Sequence, residues 1–142
     1  MSFGQFGSIS TTETARGELQ FLLGLQQENI VKHFYIFEEK KKGVMNEQTR
    51  FYIVMEYCAD GSLEVEINKR QREQRPFEVE LVKSWTKQIC QCMNYMHSQS
   101  IVHRDIKPDN ILLTKNKTFI KVCDFGFTRK DRKVGFWFLF GL

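Results

Sequence analysis

The chain has 142 residues, a formal charge of +4 from 21 Lys and Arg against 17 Asp and Glu, and 42% hydrophobic residues. A compact chain of this size buries about 68–70% of its unfolded surface, and so mild a charge, spread along the sequence, does not imply nucleic acid. No apolar N-terminal stretch reads as a signal peptide, and the apolar run from Gly135 to Leu142 is shorter than the about twenty residues of a membrane-spanning helix. The four cysteines, Cys58, Cys90, Cys92 and Cys123, form no C-x-x-C pair and read as reduced, buried thiols of a cytoplasmic protein.

Glu18 opens the stretch Glu18 to Leu23, where a carboxylate suits the positive end of an amphipathic helix. Val31 to Glu39 and Phe51 to Tyr57 read as strands, the second especially rich in β-branched and aromatic residues. Lys40-Lys41-Lys42-Gly43 between them reads as a solvated hairpin loop, and Cys58-Ala59-Asp60-Gly61-Ser62 as a turn. From Glu78 to Ser98 the residues Val82, Trp85, Ile89, Met93 and Met96 recur at helical offsets, which predicts a long helix with this stripe in the core. Cys90 and Cys92 point to different sides of it. Ile120 to Cys123 alternates and predicts a short strand that delivers Asp124.

The sequence around that strand carries the chemistry. His103-Arg104-Asp105-Ile106-Lys107-Pro108-Asp109-Asn110 is followed by Asp124-Phe125-Gly126. In-line phosphoryl transfer needs a carboxylate beside the attacking hydroxyl and cations that neutralise charge on the transferred oxygens. Asp105 is the candidate carboxylate. Asn110 and Asp124 are hard oxygen donors of the kind magnesium prefers. Taken singly, each has a plainer reading: Asp-Phe-Gly is a turn with an apolar residue, and a lone histidine is more often packed in a core. Their combination in one order carries the weight.

The two segments resemble the catalytic loop H-R-D-x-x-x-x-N and the D-F-G turn of eukaryotic protein kinases. The resemblance implies an α+β, two-lobed kinase-like fold, present in part: residues 1–57 as a small-lobe remnant, and 58–142 as the hinge and the first part of the large lobe. It implies ATP and Mg²⁺ as cofactors and a protein bearing Ser or Thr as substrate, with no nucleic acid partner. Asp105 would be the base, and Lys107 would steady the transferred phosphate, as in serine/threonine rather than tyrosine kinases. Asn110 and Asp124 would hold the metal. Met55 would stand beside the adenine, with the backbone of Glu56 and Cys58 on the base and Leu112 among the nucleotide-binding residues. His103, Arg104, Phe125 and Gly126 would support the site, and Glu18 falls at the family's ion-pairing glutamate. The segments Met55-Glu56-Tyr57-Cys58 and Gln88-Ile89-Cys90 resemble the NIMA-related serine/threonine kinases.

Other features depart from the pattern. Ser2 to Ile9 resembles the glycine loop G-x-G-x-x-G-x-V, with Gly4, Gly7 and Ile9 in register and Ser2 replacing the first glycine. Only eight residues, Ser10 to Gly17, separate it from Glu18, whereas the rest of a small lobe needs on the order of twenty. The first lysine is Lys32, so the strand-borne V-A-I-K lysine is absent, and Arg16 is the only nearby cation. After Gly126 sixteen residues remain, with no A-P-E motif. They hold a basic patch, Arg129 to Lys133, and the apolar tail. Basic followed by apolar suits an interfacial anchor, or more simply a terminus without a selected role. The expectation is an enzyme by ancestry with little or no transfer activity as written. The alternative is a kinase-like binding or scaffold remnant, or a gene-model fragment.

Overall fold

The computed structural model describes residues 2–5, 22–42 and 47–130. The fold is α+β and divides into two compact units, one of residues 1–26 and 31–57, the other of residues 27–30 and 58–142.

The first unit holds three strands, β1 (Ser2–Gln5), β2 (His33–Lys42) and β3 (Glu47–Met55). They form one antiparallel sheet in the order β1-β3-β2. β3 lies in the centre because its β-branched run Ile53-Val54 tolerates pairing on both edges. Ile53 and Val31 are buried, as are Leu22 and Leu25, while Phe37 and Tyr52 stack with ring centroids 5.0 Å apart. Lys40 to Lys42 are strand residues rather than a hairpin loop, and they pair with Thr49, Gln48 and Glu47. The backbone ladder of β2 and β3 continues to Lys42 opposite Glu47. Tyr57 lies beyond β3 and is exposed.

The second unit begins with α1 (Leu63–Arg72), for which no apolar periodicity exists in the sequence. Its signals are electrostatic. The Oγ of Ser62 accepts from the N–H of Val65 at 3.3 Å, Glu64 and Glu66 stand in the first turn, and Lys69, Arg70 and Arg72 in the last. Cap and charges each favour a helix with this polarity. Its inward face is an ion network. Glu66, 3% exposed, takes Arg70 Nε at 2.9 Å and Lys117 Nζ at 2.6 Å. Arg70 also donates to the carbonyl of Pro76 at 3.0 Å, pairs with Glu78 at 3.2 Å and lies over the Phe77 ring.

α2 (Val79–Ser98) follows. Trp85 and Met96 are buried as the stripe predicts, and Ile89 and Met93 are half-buried. Val82 is exposed, and Cys92 takes a core place instead. The inward arc runs through positions 85, 92 and 96, and Val82 falls on its flank. Cys90 lies on the outer side and is exposed, unlike the buried thiol expected there. Trp85 donates from Nε1 to the carbonyl of Lys117 at 2.9 Å, which ties α2 to a turn of the next hairpin.

That hairpin, β5 (Ile111–Thr114) with β6 (Phe119–Val122), is antiparallel, and its inward residues Ile111, Leu113, Ile120 and Val122 are buried. Its turn runs through Lys115, Asn116 and Lys117, all at positive φ. Two bonds hold this turn from outside: Lys117 N–H donates to Asp60 at 3.1 Å, and Lys117 Nζ reaches Glu66. A shorter ladder joins β4 (Ile101–Val102) to β7 (Arg129–Lys130). No helix among the described residues is long and apolar enough to cross a membrane.

Candidate functional site

The loop after β4 is organised by His103. Its ring is buried, 2% exposed. Nε2 lies 3.0 Å from the carbonyl of Cys123, and the N–H of Asp105 donates to Nδ1 at 3.3 Å. A carbonyl on one nitrogen and an N–H on the other fix one neutral tautomer, protonated at Nε2. Burial holds the imidazole pKa below its usual value, which agrees with a neutral ring. The next residue, Arg104, has φ 68° and donates from Nε to the carbonyl of Phe127 at 2.6 Å. A non-glycine residue in the left-handed region costs on the order of 1–3 kcal/mol, and this bond holds the residue in that conformation.

Asp105 therefore leaves the loop with its carboxylate in a fixed setting. Its Oδ2 accepts from Lys107 Nζ at 2.9 Å and from Asn110 Nδ2 at 2.9 Å. The Asn110 amide also donates to the Asp105 carbonyl at 2.9 Å. The bond from Lys107 and the amide of Asn110 hold the Asp105 carboxyl below its ordinary pKa, and the bond to the Asp105 carboxylate raises that of Lys107. Pro108–Asn110 form a 3-10 turn, with Pro108 at its first position, where a missing N–H is harmless. The turn reverses the chain so that Asn110, 6% exposed, comes back beneath Asp105.

The second segment is registered on the first through the backbone. The N–H of Cys123 donates to the Asn110 carbonyl at 2.9 Å while the Cys123 carbonyl faces His103. Asp124, at φ 60°, follows directly and accepts at Oδ1 from the N–H of Gly126 at 3.2 Å. Asp is among the residues that tolerate this conformation through such a local bond. Phe125 is buried, its ring 5.0 Å from that of His103. Thus His103, Asp105, Lys107, Asn110, Cys123, Asp124 and Phe125 stand in one connected network. Cys123 is the member that sequence reasoning missed as an organiser, because its contribution is entirely backbone. Its thiol pKa is pushed up to about 12, chiefly by burial, so the side chain is neutral.

The segment after Cys58 is fastened to the same hairpin. Asp60 N–H donates to the Leu113 carbonyl at 3.3 Å, Leu113 N–H donates to the Gly61 carbonyl at 2.8 Å, and Ser62 bridges Leu112. Gly61 has φ +77°, the conformation that favours glycine here. Cys58 is buried and Leu112 half-buried. In the first unit, Met55 ends β3, and Glu56 and Lys32 are doubly bonded: Glu56 N–H donates to the Lys32 carbonyl at 2.9 Å, and Lys32 N–H to Glu56 Oε1 at 2.6 Å. The N–H of Glu56 is thus engaged within the first unit.

Gly4 is an extended strand residue opposite Ile53 in β1. Gly7, Ile9 and Glu18 lie outside the described residues. Among the described residues no group of three His, Cys, Asp or Glu side chains could hold a metal. A magnesium ion commonly takes one or two carboxylates plus substrate phosphates and water, and Asn110 and Asp124 carry oxygens of that chemical kind.

Comparison with known proteins agrees with this arrangement. Residues 6–135 match the model of the protein kinase domain. Cyclin-dependent kinase-like 4 of Mus musculus is 36% identical over 79% of this chain and 29% of its own length. Serine/threonine-protein kinase Nek1 of Mus musculus is 35% identical over 82% of the chain and 9% of its own length, and probable serine/threonine-protein kinase nek3 of Dictyostelium discoideum is 35% identical over 81% and 10%. The chain thus spans less than a third of the length of these relatives. The Nek proteins are of the NIMA-related type that the segments at 55–58 and 88–90 resemble, and they match at an identity similar to that of the cyclin-dependent kinase-like protein. On its matched span and its catalytic-loop architecture, this chain belongs to the protein kinase domain family, with a kinase-like α+β fold.

Proposed function

We propose that the site in the second unit is built to transfer the γ-phosphoryl group of ATP, with Mg²⁺, to a Ser or Thr hydroxyl of a protein. The observation that carries the reading is the shared Oδ2 of Asp105, which takes Lys107 Nζ and Asn110 Nδ2 at 2.9 Å each. Ionised and pre-aimed, Asp105 accepts the proton of the attacking hydroxyl. Lys107 is paired with it at rest and stands close enough to follow the transferred phosphate. Asn110 and Asp124 would hold the ion, which would supply positive charge against the phosphate oxygens. In the second unit, Cys58 and Leu112 would stand on the adenine side of this site. His103, Arg104, Phe125 and Gly126 act by holding the loop and turn together. In this reading residues 1–57 are a small-lobe remnant and 58–142 the hinge and large-lobe part. Four thiols in no disulfide suit a cytoplasmic setting.

The chain transfers slowly if at all. No lysine precedes Lys32, so the charge-assisted contact to the α- and β-phosphates that the family draws from a strand lysine is missing. Such a contact is worth about 1.5–3 kcal/mol, or one to two decades in rate. The second reading, a nucleotide-holding scaffold without transfer, rests on this same absence. Calorimetric titration of the 142-residue chain with ATP, with and without magnesium, is the test. Magnesium-dependent binding supports the site, and no binding at millimolar nucleotide rejects it. Peptide phosphorylation that disappears in Asp105→Asn then separates an enzyme from a scaffold.

A further inference from the structure

We propose that Lys117 is a positioning residue, which from the closed end of the β5–β6 hairpin sets how Asn110 and Asp124 meet at the open end. The inference rests on the reading that these two residues hold the ion.

The hairpin ties them together. Asn110 directly precedes β5, and Asp124 follows β6 with only Cys123 between. Ile111 faces Val122 across the ladder, and beyond that pair the N–H of Cys123 donates to the Asn110 carbonyl at 2.9 Å. Each strand has only four residues, and a two-stranded ribbon is marginal by itself. A slip of one residue sends the side chains of a strand to the opposite face, so the relation of Asn110 to Asp124 depends on what supports the ladder from outside.

Those supports meet at Lys117. β5 is fastened to Asp60 and Gly61, and β6 to Gln88 of α2. The N–H of Lys117 donates to Asp60 Oδ2 at 3.1 Å, and its carbonyl accepts from Trp85 Nε1 of α2 at 2.9 Å. Its Nζ reaches Glu66 Oε2 of α1 at 2.6 Å, where the carboxylate side chain is 3% exposed. A charge-assisted bond of this kind is shorter and stronger than a neutral one. One residue thus joins the turn to the segment before α1, to α1 and to α2.

The turn also needs holding. Lys115, Asn116 and Lys117 have φ of 53°, 55° and 65°, a run of three left-handed residues without a glycine. Such residues persist where the surroundings over-determine them. Once the Lys117 ammonium is lost, the turn is free to relax, and the strands it joins move with it.

Lys117→Met keeps the aliphatic stem and the backbone bonds and removes only the ammonium, while Lys117→Arg keeps the charge. Native-state hydrogen exchange at the Cys123 amide reads the open end of the hairpin with no nucleotide present. Its protection is expected to fall about tenfold in Lys117→Met, to be restored in Lys117→Arg, and to change little at the Met96 amide of α2. The magnesium concentration that half-saturates ATP binding should rise about tenfold in Lys117→Met, as on loss of an outer partner of metal ligands, with metal-free binding unaltered. Unchanged Cys123 protection overturns the proposal, and so does an equal loss at Met96. An unchanged magnesium dependence overturns it as well. If Lys117→Met unfolds, Asp60→Ala decides, because it removes the acceptor of the Lys117 N–H and leaves the ammonium in place: lowered Cys123 protection upholds the proposal and unchanged protection overturns it. Failure of the unmodified chain to bind magnesium with ATP rejects the ion reading instead, and Cys123 exchange then decides whether Lys117 positions the two segments.

Discussion

Asn110 holds Asp105 at two points, donating from Nδ2 to the side-chain Oδ2 and to the backbone carbonyl, both at 2.9 Å. One buried amide thus fixes the position of the carboxylate and of the chain that carries it. Removing the amide in Asn110→Ala leaves the Asp105 carbonyl without that donor and costs about 1–3 kcal/mol. Urea denaturation checks the loss of stability, and titration checks a parallel loss of magnesium-dependent ATP binding. Undiminished binding in this variant would remove Asn110 from the ion site.

Asp105→Asn keeps the shape of the side chain and abolishes its capacity to accept a proton. Any residual peptide phosphorylation is expected to fall by about a hundredfold or more, the usual contribution of a positioned base. ATP binding should change little. Mass spectrometry of a Ser/Thr peptide after long incubation measures the first, and calorimetry the second.

Burial holds His103 below its usual pKa of 6.5, and the same cause lowers His33. The folded chain therefore keeps both rings neutral to a lower pH than the unfolded chain does. Their stabilisation is full above about pH 6.5 and is lost as pH falls below it, because the unfolded state binds protons first. Urea midpoints between pH 8 and 5 should decline on the acid side, and His103→Gln should flatten that decline. A midpoint that rises on acidification contradicts the neutral tautomer.

Glu66 is nearly solvent-free between Arg70 and Lys117. Glu66→Gln removes the buried carboxylate that Arg70 and Lys117 share and leaves Arg70 only its pair with the exposed Glu78, so the cost is expected at about 1–3 kcal/mol. The loss is expected in thermal unfolding, with the turn at 115–117 opening first by hydrogen exchange. A change within 0.5 kcal/mol, as at about any plain surface site, would show the network to be idle.

Met96 is fully buried on α2 and Val65 is 60% exposed on α1. Met96→Ala should cost about 2–5 kcal/mol through the cavity it leaves, and Val65→Ala about 0.5 kcal/mol or less. Paired denaturant curves separate them.

The residues 103–110 and 124–126 were legible in the amino-acid order alone, as was α2, because these signals are local: a fixed string of chemical types and a repeat matching the helical turn. α1 was not legible, since its inward face is the ion pair Glu66–Arg70 and no apolar period marks it. Val82 left its expected place for a related reason, as periodicity gives a helix a face but not the arc its neighbours cover. Likewise Lys40 to Lys42 look like a loop and form a ladder, because pairing with Glu47 to Thr49 depends on a partner strand. The order of residues by itself determined which groups are available for phosphoryl chemistry and along which elements they lie. Only the tertiary structure decided that Asn110 turns its amide to Asp105, that His103 is neutral and that Cys123 joins the two segments through its backbone. Each of these depends on hydrogen bonds between residues as much as twenty positions apart, and such bonds are chosen by packing rather than by sequence neighbours.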